Sequence, residues 1–192
     1  MENKTAYVLL GLLNHEPLTG YQIRKRIEIS LGRFWDAGFG QIYPALQRLA
    51  EEGLVVCAAG SGEGRPGRKV YAITAEGREA LKAWLAEPAV REYVRYEVLL
   101  KLFFGSLVPV ERSIETIEAF RARYEGEPDR LERFAAELRA ALPESPDHLY
   151  YLLTVRFGQR IYRAYLDWAD EALAILRSQA AGTTPGQGSD RS

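Results

Sequence analysis

Apolar residues recur along this chain first with a helical period, then with a period of two, then with a helical period again. From Thr5 to Leu13 nearly every position is apolar: Ala6, Tyr7, Val8, Leu9, Leu10, Leu12, Leu13. A helix apolar on all sides offers water no face, so this one is predicted to be buried, partly by a second chain. Asn14-His15-Glu16-Pro17 breaks it, and His15 is read as a loop residue without a metal-spaced partner. Thr19 with Gln22 three residues on makes a capping box, and Leu18 and Ile23 are placed to staple across it. That helix is predicted to run to about Leu31, with Ile23, Ile27 and Leu31 inward. Arg24, Lys25 and Arg26 then lie largely in water, an ordinary solvated face that could also sit near phosphates. Gly32 to Gly38 reads as a turn, with Phe34 and Trp35 assigned to core or hinge packing.

Ile42, Ala45, Leu46 and Leu49 form one stripe of the next helix. Pro44 lacks an N–H, which is harmless near a first turn, so the helix is expected to start close to Gly40. Gly53 follows as a left-handed C′ residue. The outward face is Gln41, Tyr43, Pro44, Gln47 and Arg48. Two amides, a phenol and a guanidinium suit base edges and phosphates. A capped helix, a glycine-bearing turn and a polar-faced helix are the helix-turn-helix plan.

At Leu54 the period changes. Leu54 to Ala59 and Arg68 to Ile73 read as two strands joined by a glycine-rich turn over 60–67. A hairpin directly after such a helix is a wing, with Arg65, Arg68 and Lys69 at its tip. Gly62 to Gly67 also spells G-x-G-x-x-G, but Pro66 and a strand follow where a dinucleotide site needs a helix to open. Cations at a hairpin tip fit a phosphate backbone or minor groove. Thr74 then caps a helix that carries Glu76 and Glu79 near its positive end. Its apolar side is Ala80, Leu81, Trp84 and Leu85, and Glu87-Pro88 ends it.

Four further helices are predicted: Tyr93 to Phe104, Glu111 to Tyr124, Arg130 to Leu142, and Asp147 to about Ser178. The last would span roughly 45–50 Å at 1.5 Å per residue. Its positions Leu149, Leu152, Leu153, Phe157, Ile161, Tyr165, Trp168, Ala172 and Leu176 approach a heptad seam, which calls for a partner surface. Ala180 to Ser192 is polar and glycine-rich and is expected to be disordered.

Composition narrows the function. Over 192 residues, 47% are apolar and 27% charged, ordinary values for a globular protein. A net charge of −1 excludes a wholly basic nucleic-acid binder. Residues 1–74 nevertheless carry nine Lys/Arg against seven Asp/Glu, while the remainder carries 16 against 19. That asymmetry, though small, fits one nucleic-acid-facing part and one protein-facing part. Cys57 is the single cysteine, which excludes an intrachain disulfide and a cysteine-based zinc cluster and agrees with a reducing compartment. The run from Ala6 to Leu13 is too short to span a bilayer and lacks the flanks of a signal peptide, so a cytoplasmic location is expected. No His-Glu-x-x-His, Walker loop or nucleophile elbow is present, and no cofactor, metal or catalytic turnover is expected. Trp84 is assigned to packing, with an effector pocket at a dimer interface as its other use. His148, Tyr150, Tyr151, Tyr162 and Tyr165 could line an aromatic-effector pocket, with helix–helix packing the preferred role.

Three stretches together resemble PadR-type transcriptional regulators: Thr19-Gly20-Tyr21, the run from Gln41 to Leu54, and the run from Arg68 to Gly77. The pairing of Tyr-Pro-x-Leu-x-x-Leu-x-x-x-Gly-Leu with Tyr-x-Ile-Thr-x-x-Gly is more specific than either alone, and the match spans about residues 5–88. One departure is Gly38-Phe39-Gly40, where many members carry a small polar cap. The resemblance implies a homodimer that binds double-stranded operator DNA, commonly as a repressor released by an effector or stress signal. It makes Tyr43 the recognition-helix tyrosine, sets Thr19 and Tyr21 on the preceding helix near the backbone, and makes Arg65, Arg68 and Lys69 the wing. The second half resembles the helical dimerisation region of larger members. The expected fold is mainly α: a winged helix-turn-helix with a two-stranded β-wing over 1–88, an all-helical dimerisation domain over 89–179, and a tail over 180–192. A MarR-like regulator is the competing assignment, opposed by the long helical region after the hairpin. A protein-interaction module without DNA binding is another, and would be favoured by indifference to DNA at low salt.

Overall fold

The computed structural model describes residues 4–32, 34–35, 39–59, 69–90 and 94–182. It divides into two compact units between Arg91 and Glu92. The first contains α1 (Thr5–Leu13), β1 (Leu18–Thr19), α2 (Gly20–Arg26), α3 (Phe39–Glu51), β2 (Val55–Ala59), β3 (Lys69–Ile73) and α4 (Ala75–Ala86). Leu9, Leu10 and Leu13 of α1 join Leu18, Ile23, Ile42, Leu46, Leu49, Val55 and Ile73 in one core. Each such side chain withdrawn from water stabilises the fold by about 1.5–3 kcal/mol. The remaining apolar positions of α1, Ala6, Tyr7, Val8 and Leu12, pack on the same core. Much of the cover expected from a second chain is thus supplied by this one.

The capping box forms as the residues predict. The Thr19 hydroxyl accepts from the Gln22 N–H at 3.3 Å, and the Gln22 side-chain oxygen accepts from the Thr19 N–H at 2.9 Å. Leu18 and Ile23 are both buried. Beyond Arg26 the helix loosens into a π-helical turn over Ile27–Leu31. Of the two turn aromatics, Trp35 packs on the core, whereas Phe34 is exposed at 59%. α3 begins at Phe39, so Pro44 stands in its second turn and Gly40 loses the bond that an N–H there would supply. Gly53 is left-handed at φ +72°.

The sheet has three strands in the order β1-β3-β2, all antiparallel. The wing pair runs from Val55 opposite Ile73 out to Ala59 opposite Lys69. The additional strand, Leu18–Thr19, pairs with Tyr71 and Val70. Two residues are too few to show a period of two, so only the fold brings them to the sheet edge. α4 is capped by Thr74, whose hydroxyl accepts from the Gly77 N–H at 3.0 Å. Leu81 is buried and Trp84 half-buried, while Leu85 faces solvent. Gly77 lies so near the sheet that a Cβ there would stand 2.1 Å from the Leu54 carbonyl oxygen.

The second unit contains α5 (Glu97–Phe103), α6 (Val110–Tyr124), α7 (Glu127–Ala140) and α8 (Asp147–Gly182). α5 is shorter than the predicted helix, because residues 94–96 are extended or irregular and 91–93 lie outside the described residues. α7 is longer: Pro128 sits in its first turn, where a missing N–H costs nothing, so the expected loop shrinks to the neighbourhood of Gly126. α8 continues past Ser178 to Gly182, and the rest of the expected tail lies outside the described residues. α6 and α7 both pack along α8, forming two separate apolar clusters. One joins Leu131, Ala135 and Leu138 to Leu152 and Val155; the other joins Ile117 and Phe120 to Ala169 and Leu173.

The predicted seam of α8 is corrected here. Of its members Leu152 is buried, and Tyr165, Trp168, Ala172 and Leu176 pack on the second cluster, but Leu149, Leu153 and Phe157 are exposed, and Val155, Gln159, Ala169 and Leu173 are buried outside the expected seam. Two helices pack against α8 from one side, so the buried stripe follows them and part of the apolar surface stays uncovered.

Candidate nucleic-acid interface

The core position of α3 decides what it presents. Ile42, Ala45, Leu46 and Leu49 are each 2% exposed or less. Helical geometry then turns Gln41, Tyr43, Pro44, Gln47 and Arg48 outward, and all five are exposed. Tyr43 keeps 48% of its surface in contact with solvent, and Tyr21 on α2 keeps 58%. Two of the amides are engaged within the chain. The Thr5 hydroxyl donates to the Gln41 side-chain oxygen at 3.4 Å, tying α3 to α1, and the Gln47 amide donates to Glu51 at 3.0 Å. Arg24 pairs with Glu28 at 2.5 Å and Arg26 with Glu16, which leaves Lys25 as the member of the basic triplet facing fully outward.

Tyr43 lies against α2 and is close enough to Tyr71 of β3 to affect its phenol. Its ring tip lies over Gly20 at the start of α2: a Cβ on Gly20 would come 2.7 Å from Cε1 and 2.9 Å from the phenol oxygen. Tyr71, on β3 opposite Cys57 of β2, has its phenol pushed above the ordinary tyrosine range. Burial is the main cause, followed by the adjoining Cys57 thiol and then Tyr43. Tyr71 thus has Cys57 across the strand pair and feels Tyr43 from α3. Sequence reasoning did not connect these residues, because proximity between elements leaves no periodic trace. Their only signal was Gly20 itself, a residue with no side chain inside a helix start.

The other expected site residues are spread unevenly. Thr19 is 8% exposed and its hydroxyl is occupied with Gln22, so its part is to fix the N-terminus of α2. Lys69 is exposed at the start of β3. Arg65 and Arg68, with the wing tip, lie outside the described residues. Trp84 stacks flat on Tyr7, with ring centroids 4.5 Å apart and planes 5° apart.

The five aromatic candidates of α8 do not converge. His148 bonds the Ala141 carbonyl at 2.6 Å in the first turn of the helix. Tyr162 and Tyr165 lie some 14–17 residues on, roughly 20–25 Å along the axis, where they pack with Tyr124. Tyr165 also meets the Tyr96 hydroxyl at 2.7 Å, and burial with that bond pushes its phenol far upward. Tyr150 is exposed. Among the described residues no cluster of His, Cys, Asp and Glu is arranged to hold a metal ion, and no helix is long and apolar enough to cross a membrane.

A capped helix, an outward-facing polar helix and an antiparallel hairpin behind it make a winged helix-turn-helix, a fold class that reads duplex DNA. Comparison with known proteins narrows the class. The model of the transcriptional regulator PadR-like family matches residues 9–83, and that of the virulence activator alpha C-terminal region matches residues 94–177. The chain belongs to the PadR-like family of transcriptional regulators. It is 28% identical over 175 residues to the negative transcriptional regulator PadR of Bacillus subtilis, covering 88% of this chain and 96% of that one. The crystal structure of that PadR with operator DNA superposes with a TM-score of 0.77 at 27% identity, over 90% of this chain and 98% of the other. The same regulator with p-coumaric acid gives 0.70 at 26% identity, over 92% and 98%. The Vibrio cholerae virulence activator AphA gives 0.71 at 30% identity, over 91% and 98%.

Proposed function

We propose that this regulator acts as a homodimeric repressor on a palindromic operator, residues 1–88 contacting DNA and residues 89–179 holding the two copies together. The observation that carries this reading is the exposed Gln41-Tyr43-Gln47-Arg48 face of α3, held outward by a stripe that is wholly buried. In this reading α3 enters the major groove, with Gln41, Tyr43 and Gln47 at base edges. Tyr21, Arg48, Lys69 and the wing arginines Arg65 and Arg68 hold phosphates, which supply most of the affinity and its salt dependence. Two-fold pairing of the protein requires a two-fold repeat in the site. The uncovered apolar residues of α8 (Leu149, Leu153, Phe157) and of α5 (Leu99, Leu100, Phe103) support pairing through the helical half. An effector that loosens the dimer's grip on DNA relieves repression, and Trp84 with its stacked Tyr7 is the proposed aromatic contact for it. The chain carries out no catalysis and works in the cytoplasm, where its DNA is.

Selection of bound duplexes from a random library tests this directly. A two-fold repeated motif is expected, and a library recovered without enrichment would refute the reading. In gel-shift titration, Tyr43→Ala should cost about 1–3 kcal/mol of operator affinity. Lys69→Ala should weaken all sequences alike and lower the salt slope by about one.

A further inference from the structure

We propose that Gly20 is a positioning residue for the recognition tyrosine: its bare Cα is the seat on which the Tyr43 ring rests, and so sets where the phenol meets a base. The inference rests on the DNA-binding reading of α3 and concerns how that face is aimed.

Both sides of this contact are fixed apart from the ring. Gly20 is buried at the first position of α2. The residue before it, Thr19, is held twice, by the capping box with Gln22 and by pairing with Val70 of β3. On the other side the backbone of Tyr43 is anchored by Ile42 and Leu46, both fully buried. The ring of Tyr43 is the half-exposed part of the contact. A Cβ at position 20 would stand 2.7 Å from its Cε1 and 2.9 Å from both its Cζ and its hydroxyl oxygen. Carbon atoms in contact prefer about 3.5–4.0 Å. A methyl there therefore moves the ring tip by about an ångström, away from α2.

The fold has no reason to resist. Gly20 already lies in helical conformation and no positive φ is recorded for it. Alanine is the better helix former at such a position. The atoms it meets are the distal ring atoms of a half-exposed side chain, not backbone. Gly20→Ala should thus preserve or raise thermal stability while misplacing the tyrosine. A residue needed only for folding would show the reverse.

The experiment uses the full chain and the operator selected above. Gly20→Ala is expected to keep the wild-type melting temperature or exceed it, and to bind the operator about five- to a hundredfold more weakly, the range of one lost base contact. In a Tyr43→Ala background, which has no ring to displace, Gly20→Ala should have no further effect. Carbon-13-labelled tyrosine spectra of the free protein should show the Tyr43 ring signals shifted in Gly20→Ala. Unchanged affinity, an equal loss in the Tyr43→Ala background, unmoved Tyr43 signals or a collapsed fold would each overturn the proposal. Failure of the wild type to bind any duplex would instead sink the DNA-binding reading, and the spectra of the free protein would still decide whether Gly20 seats the ring.

Discussion

In the winged unit, residues from α1, α2, α3, α4 and all three strands meet in a single core, and Leu9, Leu10, Ile23, Ile42 and Leu46 lose all contact with water. In the helical unit the buried residues fall into two small clusters strung along α8, and large apolar side chains stay outside, Phe103 at 82% and Phe157 at 66% exposure. The first unit closes on itself; the second offers apolar surface that one copy cannot cover. Polar bonds brace the second unit instead: Arg121 to Asp170 at 2.6 Å, Arg177 to Glu118 at 2.6 Å, and Gln159 to Glu132 at 2.6 Å. The two arginine pairs are exposed ion pairs, which contribute little, with a median near 0–1 kcal/mol, whereas the Gln159 amide is buried and its bond satisfies a group cut off from water. A self-contained winged unit beside a helical unit with open apolar surface is the contrast on which the proposed pairing rests.

That contrast can be broken at several points. Leu46→Ala removes a fully buried side chain from the closed core and should cost about 2–5 kcal/mol in a denaturant titration. A loss below about 1 kcal/mol would mean that the core is looser than its burial indicates. Phe157→Asp puts a charge on the uncovered face of α8. It should weaken self-association by about 2 kcal/mol or more, read by sedimentation at several concentrations, with the folded helix content unchanged in the associated state. If dissociation is unaffected, the apolar face is not where copies meet. Thr19→Ala removes one side of the capping box and should lower stability by about 1 kcal/mol, with a sharper transition elsewhere unaltered.

The smallest effect concerns acid. Hydrogen bonds from Gln159, then Arg139, hold the Glu132 carboxyl below its usual range. A carboxylate lowered on folding stabilises the native state above its unfolded value, and that contribution disappears as pH falls through the folded value. Melting temperatures measured from neutral pH downward should therefore show a shallow acid-side loss that Glu132→Gln abolishes. No difference between the two proteins would show that these bonds do not couple to the stability of the helical half.

How much was legible in the residues differs between the units in the same way. Thr19, Gln22, Gly53 and Thr74 are local devices, each acting within a few positions of itself, and they take the roles their neighbours predict. The stripe of Ile42, Ala45, Leu46 and Leu49 was equally plain, because one closed core accepts one face of α3. Along α8 the apolar residues are too many for one stripe. The expected seam took in Leu149, Leu153 and Phe157 along with Leu152, and only Leu152 of these is buried, beside Val155 and Gln159. Only the places taken by α6 and α7 decided between them.

The amino-acid order alone determined which segments are helical, the capped starts at Thr19 and Thr74, which face of α3 is dry, and that a polar, tyrosine-bearing surface precedes a β-ribbon. These properties depend on interactions within a few residues, so periodicity and capping chemistry display them. Tertiary structure decided that Leu18–Thr19 joins the sheet, that Gln41 is tied to Thr5, and that the Tyr43 ring rests on Gly20 beside Tyr71. Each of these joins residues far apart in the chain, and distance along the chain sets no limit on closeness in space once the core has closed.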